Sequence, residues 1–192
     1  REAGDRNGGF ARRFQDAVYA GHPYGNELTQ ESLDRITVQV MRSFFSFLVR
    51  ACRANISIVG AVSQAEAAQI ATVLIAGLPQ SGCDTLPAVP EVAPLVAAQD
   101  IKLPFESAQA HVLIGQPGYK RSDPDFFALL VGNHILGGGG FTSLLTQEVR
   151  EKRGLSYSVY SYFSPGLDAG AFAMGLQTRP DQAEQAVKVS RD

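Results

Sequence analysis

The side chains that most often do chemistry in proteins are few and widely spaced in this sequence. The three histidines are His22, His111 and His134, and the closest two are 23 positions apart. Metal-binding helices usually offer their ligands within one or two turns, because only such spacing turns them toward one ion. His22 lies in a Gly/Pro turn and the other two lie in apolar segments, so we expect three ordinary hydrogen-bonded histidines. The sequence predicts no metal site.

The two cysteines, Cys52 and Cys83, lie 31 positions apart and do not form a C-x-x-C pair. They are either joined in a disulfide or separate small apolar residues. The second interpretation is favoured, because free cysteines are usually buried and behave as small hydrophobic side chains.

A run of four glycines at 137–140 has the composition of a phosphate-binding loop. A P-loop, however, needs G-x-x-x-x-G-K-[ST] after a strand. These glycines follow a helical pattern and precede Phe141-Thr142-Ser143 without a lysine, which argues against nucleotide binding. Taken alone, the run is a flexible connector between helices, and its glycines would let another backbone approach closely.

The patterns on either side of the glycines predict the elements that hold them. Ser122–Leu136 has apolar residues at helical spacing and a proline in the first turn. A second helix is predicted over Thr142–Gly154, with its first residue as the N-cap and its glycine at C′. Alternation over Leu155–Phe163 predicts a strand in which Leu155 and Tyr157 point to the same side, and Ala169–Gln177 is predicted to return antiparallel to it.

Charges along the second helix support its assignment. Glu148 and Lys152 are four positions apart in the favourable order for an ion pair. Arg150 and Arg153 place positive charge in the last turn, where it interacts well with the helix dipole. The helix is therefore expected to end at Gly154.

The first half of the chain is predicted to be mainly helical, with one buried strand. Ser63 and Glu66 form a capping-box pattern at the start of one helix. Prolines and a glycine then break all periodicity over residues 80–96, which predicts extended chain. We predict helices at 8–20, 30–35, 38–50 and 64–77, a strand at Asn55–Val62, an extended segment at Ile101–Phe105, a strand at Ala108–Gln116 and a last helix after Arg179.

The composition limits the kinds of protein that this chain can be. The chain has 192 residues, 45% of them hydrophobic, which is enough for a real core. Charged residues are 19% and the net charge is −2, so no nucleic-acid-binding surface is expected. No apolar run approaches the roughly 20 residues that span a membrane. The predicted strand at Asn55–Val62 and the capped helix after it form an α+β half-unit.

The stretch LGGGGFTSLLTQEVREKRGLSYSVYS, residues 136–161, closely resembles the second, non-catalytic domain of the M16 (pitrilysin-like) zinc peptidases. The resemblance is strongest to the short bacterial type related to mitochondrial processing peptidase. The segments HPYGNELTQESLDRIT and NISIVGAV also resemble the second half of the first domain of that family. Ala61 departs from the pattern, because the family often has an acidic residue after the glycine.

The resemblance implies an α+β M16 peptidase-like fold, with antiparallel sheets and helices packed on one face. It divides the chain into three parts. Residues 1–79 correspond to the C-terminal half of one domain, residues 80–100 to a Pro-rich linker, and residues 101–192 to the N-terminal part of the following domain.

The resemblance also implies roles for particular residues. In the family, an arginine and a tyrosine seven positions apart project toward the active site of the other half, and Arg150 and Tyr157 match them. Taken alone, Arg150 is also a typical cation at a helix end, and Tyr157 a typical core aromatic. By the same resemblance, the expected substrate-binding residues are Gly137, Gly138, Gly139, Gly140 and Phe141.

Catalysis in this family needs zinc bound by H-x-x-E-H, a motif that the chain lacks. Either the chain starts downstream of the motif in a complete peptidase, or the whole protein is an inactive subunit beside a zinc-bearing partner. In both cases we expect no activity and no cofactor in this chain alone, with zinc in the missing half or partner subunit. The expected function is the non-catalytic, substrate-engaging region of a zinc metallopeptidase.

Partners follow from the same resemblance. We expect a zinc-bearing half or subunit and an extended peptide substrate, with homodimers and heterodimers both left open. The alternative function is a structural or assembly subunit that keeps the fold without peptidase work. The compartment is open, with the bacterial periplasm favoured over the cytoplasm.

Overall fold

The computed structural model describes residues 2–83 and 85–192, with side chains from residue 9 onward. Arg1 and Asp84, which belong to the predicted first domain and linker, lie outside the described residues. The described chain forms two compact units. One comprises the residues up to Glu27 together with Val89–Asp192, and the other comprises Leu28–Ala88.

Helices account for most of the regular structure. The predicted helices in the first half are confirmed, and the last predicted helix is present as well. Over the described residues the α-helices are α1 (Glu2–Tyr19), α2 (Gln30–Asp34), α3 (Val38–Leu48), α4 (Gln64–Ala76), α5 (Phe126–Asn133) and α6 (Ala183–Arg191).

The regions around the glycines contain wider and tighter helical turns. A π-helical turn, His134–Gly138, continues α5, and a second π-helical turn spans Thr146–Glu151. Between them lies a 3₁₀ turn, Gly140–Thr142. Three further 3₁₀ turns occur at Pro23–Gly25, Ala51–Arg53 and Pro180–Gln182.

The first unit contains an antiparallel sheet of three strands in the order β1 (Ala110–Pro117), β3 (Ala171–Thr178), β2 (Val159–Phe163). Leu176 of the central strand pairs with Val112 on one side and with Val159 on the other. The predicted return strand and its antiparallel direction are therefore confirmed, and the fold class is α+β.

The core lies between this sheet and the helical segments that follow the glycines. Val149 is fully buried there, and Ala186 of α6 packs into the same cluster. Near the other face of the sheet, Phe14 of α1 contacts the β1 backbone at Gly115, and the Tyr19 hydroxyl accepts a hydrogen bond from the Ala171 N–H at 2.8 Å. The buried cluster around Val149 comprises Leu145, Val149, Leu155, Val159, Met174, Leu176 and Ala186.

The strand predicted at Asn55–Val62 is wrong. These residues are all described, and none of them belongs to a strand; Gly60 and Ala61 form a bend. An extended apolar segment becomes a strand only when a neighbour completes its hydrogen bonds, and none of the described residues does so. The segment Ile101–Phe105 likewise belongs to no helix or strand.

The second unit, Leu28–Ala88, is held by a capped helix and a disulfide. The Ser63 hydroxyl accepts from the Glu66 N–H, and the Glu66 carboxylate accepts from the Ser63 N–H, which confirms the capping box before α4. Cys52 and Cys83 are bonded to each other, with their Cα atoms 6.3 Å apart. The favoured interpretation of two separate cysteines is therefore wrong.

The two compact units are defined by contacts within this chain alone, so they do not test the predicted family-domain boundaries. The assignment of residues 1–79, 80–100 and 101–192 to successive family domains stays a prediction. Among the helices that the structure describes, none is both long and apolar enough to cross a membrane.

Candidate functional site

Arg150 and Tyr157 lie side by side at the surface of the first unit. Val149 points into the core, so Arg150, the next residue, leaves it. Gly154 then reverses the chain at φ +60°, and its N–H donates to the Arg150 carbonyl at 2.8 Å, as expected for a glycine at C′. Leu155 returns to the core, and Tyr157 follows at the surface. The guanidinium carbon of Arg150 lies 4.7 Å from the centroid of the Tyr157 ring.

Tyr157 does not point inward as the sequence pattern predicted. Its exposed fraction is 81%, whereas that of Leu155 is 4%. The reason is that β2 begins only at Val159, so the alternation of the strand does not extend back to Tyr157. The interpretation of Tyr157 as a core aromatic is thereby overturned.

Phe141 joins the same group, although the sequence placed it only with the glycines. The guanidinium carbon of Arg150 lies 5.0 Å from the centroid of the Phe141 ring. The Nε atom of Arg150 lies 3.3 Å from a carboxylate oxygen of Glu151. We call Phe141, Arg150 and Tyr157 the arginine stack. Sequence spacing gave no signal for the Phe141 contact, because it joins a residue of the 3₁₀ turn Gly140–Thr142 to one of the π-helical turn Thr146–Glu151.

Gly137 is buried against β2, where there is no room for a side chain. A Cβ atom at this position would lie 2.5 Å from the Ser161 nitrogen and closer still to its hydroxyl oxygen. At Gly140 the constraint is conformational, because φ is +61°. A Cβ atom at Gly138 would meet Asn133 at the end of α5, and one at Gly139 would lie 2.6 Å from the His134 carbonyl oxygen. The run is thus a close-packed element rather than a loose connector.

The segment after the glycines is capped one residue later than predicted. The Ser143 hydroxyl accepts a hydrogen bond from the Thr146 N–H at 3.4 Å, whereas the Thr142 hydroxyl donates back to the Gly139 carbonyl. The Ser143 and Thr146 hydroxyls also donate to the Gly140 carbonyl, at 2.8 and 2.9 Å. These bonds anchor the backbone immediately before Phe141.

Asn133, which sequence reasoning did not select, joins the end of α5 to β2. Its side-chain N–H donates to the Ser161 carbonyl at 3.2 Å, and the Ser161 hydroxyl donates to the Asn133 side-chain oxygen at 2.8 Å. An asparagine at a helix end has no distinctive pattern, so only the tertiary contact reveals it.

A groove of about 610 Å³ runs between the glycine segment and β2. Its walls include three of the predicted substrate-binding glycines, and the fourth, Gly139, does not line it. Tyr160 and Tyr162 also line it, with ring centroids 6.0 Å apart. Arg150 and Tyr157 do not form part of its walls, so the glycines and the arginine stack are neighbouring features rather than one pocket.

Charges around the arginine stack are largely paired. Glu148 accepts hydrogen bonds from Lys152 and Arg153, at 2.5 and 2.6 Å, and these bonds lower the pKa of its carboxyl group. The predicted Glu148–Lys152 pair is thus confirmed. Glu151 in turn faces the Arg150 guanidinium.

The histidines do not form a metal site. His22 is buried, its Nε2 atom lies 2.8 Å from the Pro90 carbonyl oxygen, and its Nδ1 atom accepts from the Tyr24 N–H at 3.1 Å. Both ring nitrogens are therefore used within the protein. His134 is exposed to solvent. Within residues 2–83 and 85–192, no group of three or more His, Cys, Asp or Glu side chains is placed to hold a metal ion.

Comparison with known proteins gives this geometry a family context. Residues 35–192 match the model of the "Peptidase M16 inactive domain" family. The chain belongs to the peptidase M16 family. It is 34% identical to an uncharacterized zinc protease of Streptomyces coelicolor, a match that covers 93% of the chain and 40% of that protein. An uncharacterized zinc protease of Bacillus subtilis is 40% identical over 80 residues, which is 42% of the chain and 19% of that protein.

Solved structures agree with the M16 assignment. The crystal structure of a peptidase M16 inactive domain from Pseudomonas fluorescens superimposes with a TM-score of 0.81 at 34% identity, covering 95% of this chain and 44% of that one. A protease from Helicobacter pylori shares the fold, with a TM-score of 0.72 at 19% identity, covering 92% of this chain and 45% of that one. The M16 chain described here thus spans less than half the length of these relatives.

Proposed function

We propose that this chain is the non-catalytic, substrate-engaging region of an M16-type zinc metallopeptidase. Peptide hydrolysis would need the zinc-bearing half, or a partner subunit that carries it. The names of the relatives and the inactive-domain match support this general assignment. The more specific role rests on the arginine stack.

The observation that carries the proposal is the contact between Arg150 and Tyr157 at an accessible surface. Peptide hydrolysis places negative charge on the scissile carbonyl oxygen, and donors already in position there lower the barrier. A phenol and a guanidinium are suitable donors, and the guanidinium is also permanently charged. The Tyr157 side chain is mostly exposed, and within the described residues neither terminal nitrogen of Arg150 has a hydrogen-bond partner. Both groups are therefore available to a peptide.

The groove beside the glycine segment is the best candidate for the path of an extended peptide. The Ser164 N–H donates to the Ala171 carbonyl, so the backbone groups of Ser164 face β3. Because this orientation alternates along an antiparallel strand, the backbone N–H and C=O groups of Val159, Ser161 and Phe163 point away from β3. Asn133 already occupies the Ser161 carbonyl. Continuous strand addition to β2 is therefore blocked at its centre, and a peptide here would rely on the groove walls.

We assign zinc to the other half because the histidines of this chain are not placed to bind a metal ion. His22 uses both ring nitrogens internally, and His111 and His134 have no second ligand beside them among the described residues. The chain therefore supplies donors and a peptide surface, while the metal would come from elsewhere.

The test uses this chain joined to, or reconstituted with, its zinc-bearing half. The substitutions Arg150→Ala and Tyr157→Phe should each lower kcat/KM by about 100- to 1000-fold, the range seen when one transition-state donor is removed. A fall in kcat at constant KM would indicate a transition-state role, and a rise in KM alone would indicate uniform binding of the peptide. Steady-state hydrolysis of a fluorogenic peptide series measures both.

Arg153→Ala is the matched control. It also removes a guanidinium from this turn, but that guanidinium pairs with Glu148 and does not contact Tyr157 in the way that Arg150 does. Its kcat/KM should stay close to that of the parent. Unchanged kcat/KM in both site variants would contradict the proposal and favour the structural or assembly role. Chelator-sensitive proteolysis by the chain alone would contradict it from the other direction.

A further inference from the structure

The Arg150 guanidinium is held on three sides. The Phe141 and Tyr157 rings lie 5.0 and 4.7 Å from its central carbon, and Glu151 faces its Nε atom at 3.3 Å. A long surface side chain ordinarily samples many rotamers, and contacts with two aromatic rings restrict it. The terminal nitrogens therefore keep a fixed direction.

Phe141 is not explained by packing in the core. Its exposed fraction is 73%, so it buries too little surface to act mainly as a hydrophobic anchor. Its backbone, in contrast, is well anchored, because the hydroxyls of Ser143 and Thr146 both donate to the carbonyl of the preceding Gly140. An exposed aromatic side chain on a fixed backbone is suited to hold a neighbouring group.

We infer that Phe141 is a positioning residue that holds the Arg150 guanidinium beside Tyr157 so that its terminal nitrogens face the peptide. This inference rests on the proposed function and assigns Phe141 a role through Arg150 instead of direct contact with the substrate. The glycine run then has a second purpose, since the positive φ at Gly140 sets the direction from which Phe141 reaches Arg150.

The kinetic test compares Phe141→Leu with Phe141→Tyr in the chain joined to its zinc-bearing half. Leucine keeps apolar bulk but lacks a ring face, so kcat should fall about tenfold with little change in KM, since misplacement of a donor mainly affects the transition state. Tyrosine restores the ring and should restore kcat. Phe127→Leu is the matched control, because Phe127 is 75% exposed and its described ring contact is with Phe126.

A spectroscopic test on this chain separates positioning from stability. Aromatic rings shift the NMR signals of protons that lie over their faces, so the Arg150 side-chain protons should move toward random-coil values in Phe141→Leu and stay in place in Phe141→Tyr and Phe127→Leu. Unchanged Arg150 shifts in Phe141→Leu would overturn the inference.

The two proposals fail in different ways. If Arg150→Ala and Tyr157→Phe leave kcat/KM unchanged, the proposed function fails and this inference fails with it. If those variants lose activity while Phe141→Leu retains full kcat, only the positioning role of Phe141 is overturned.

Discussion

At Gly137 the backbone passes so close to β2 that one added methyl group has no room. The atoms it would meet include the Ser161 main-chain nitrogen, which cannot swing away as a side chain would. Gly137→Ala should therefore lower the free energy of unfolding by about 1–3 kcal/mol, the usual cost of overpacking. Urea titration followed by circular dichroism measures it.

Gly132 offers the control for this change. It lies in α5, and no atom lies within 4 Å of the point that an added methyl group would occupy. Gly132→Ala should therefore leave stability unchanged or raise it by about 0.5–1 kcal/mol. Equal destabilisation by both substitutions would show that the close contact at Ser161 is not the cause.

Single residues could be predicted where their chemistry is local, and not where it depends on distant neighbours. The glycine at C′ of the second helix and the Ser63 cap follow from short-range rules, and both were predicted. The Asn133–Ser161 bonds join residues 28 positions apart, and the Phe141–Arg150 contact joins a 3₁₀ turn to a π-helical turn, so the spacing rules of one regular helix find neither. The roles assigned to Arg150 and Tyr157 stay predictions.

At the scale of elements, the turn that contains Arg150 also contains Glu148, whose ion pairs with Lys152 and Arg153 make a pH-dependent contribution to stability. Lys152 and Arg153 hold the pKa of the Glu148 carboxyl below its ordinary value. Because the folded pKa is the lower one, the pair stabilises the fold above the pKa of the unfolded chain and is lost as pH falls through the folded pKa.

Glu148→Gln should therefore lie below the parent in stability near neutral pH and approach it in acid. Thermal unfolding across a pH series measures the difference, and about 1 M NaCl should reduce it because both partners are exposed to solvent. A difference between parent and variant that stays constant from neutral to acid pH would contradict the assignment.

Strands were harder to predict than helices for a physical reason. A helix satisfies its own backbone, so α4 could be located from its cap and its apolar spacing. A strand needs a partner, and Asn55–Val62 has the composition of a strand without a described partner. The start of β2 at Val159, two residues beyond Tyr157, is likewise not a local property, because its pairing with β3 stops at Leu176 although β3 continues to Thr178.

At the scale of the whole molecule, the disulfide is the main constraint on Leu28–Ala88. The helices α2, α3 and α4 contain no fully buried residue, so little core supports this unit. The bond between Cys52 and Cys83 closes a span of 31 residues, for which loop entropy predicts about 3–4 kcal/mol of stabilisation. Composition alone could not decide whether these two cysteines meet.

Replacing both cysteines by alanine should therefore loosen this unit selectively. Hydrogen exchange read by mass spectrometry should show faster exchange in peptides from α4, while peptides from β1 and β3 exchange as before. Equal rates in α4 before and after the substitution would indicate that the helices hold themselves together.

The two π-helical turns on either side of the glycines make the length of the chain there more critical than its composition. Each such turn accommodates one residue more than an α-helical turn. Deleting a single residue between Thr146 and Val149, with the winding of the rest of the segment unchanged, would rotate the following side chains by about 100°. Arg150 would then leave its place between the two rings although every atom of its side chain remained. Related sequences that differ here by one insertion or deletion should therefore aim this arginine elsewhere, whatever their percentage identity.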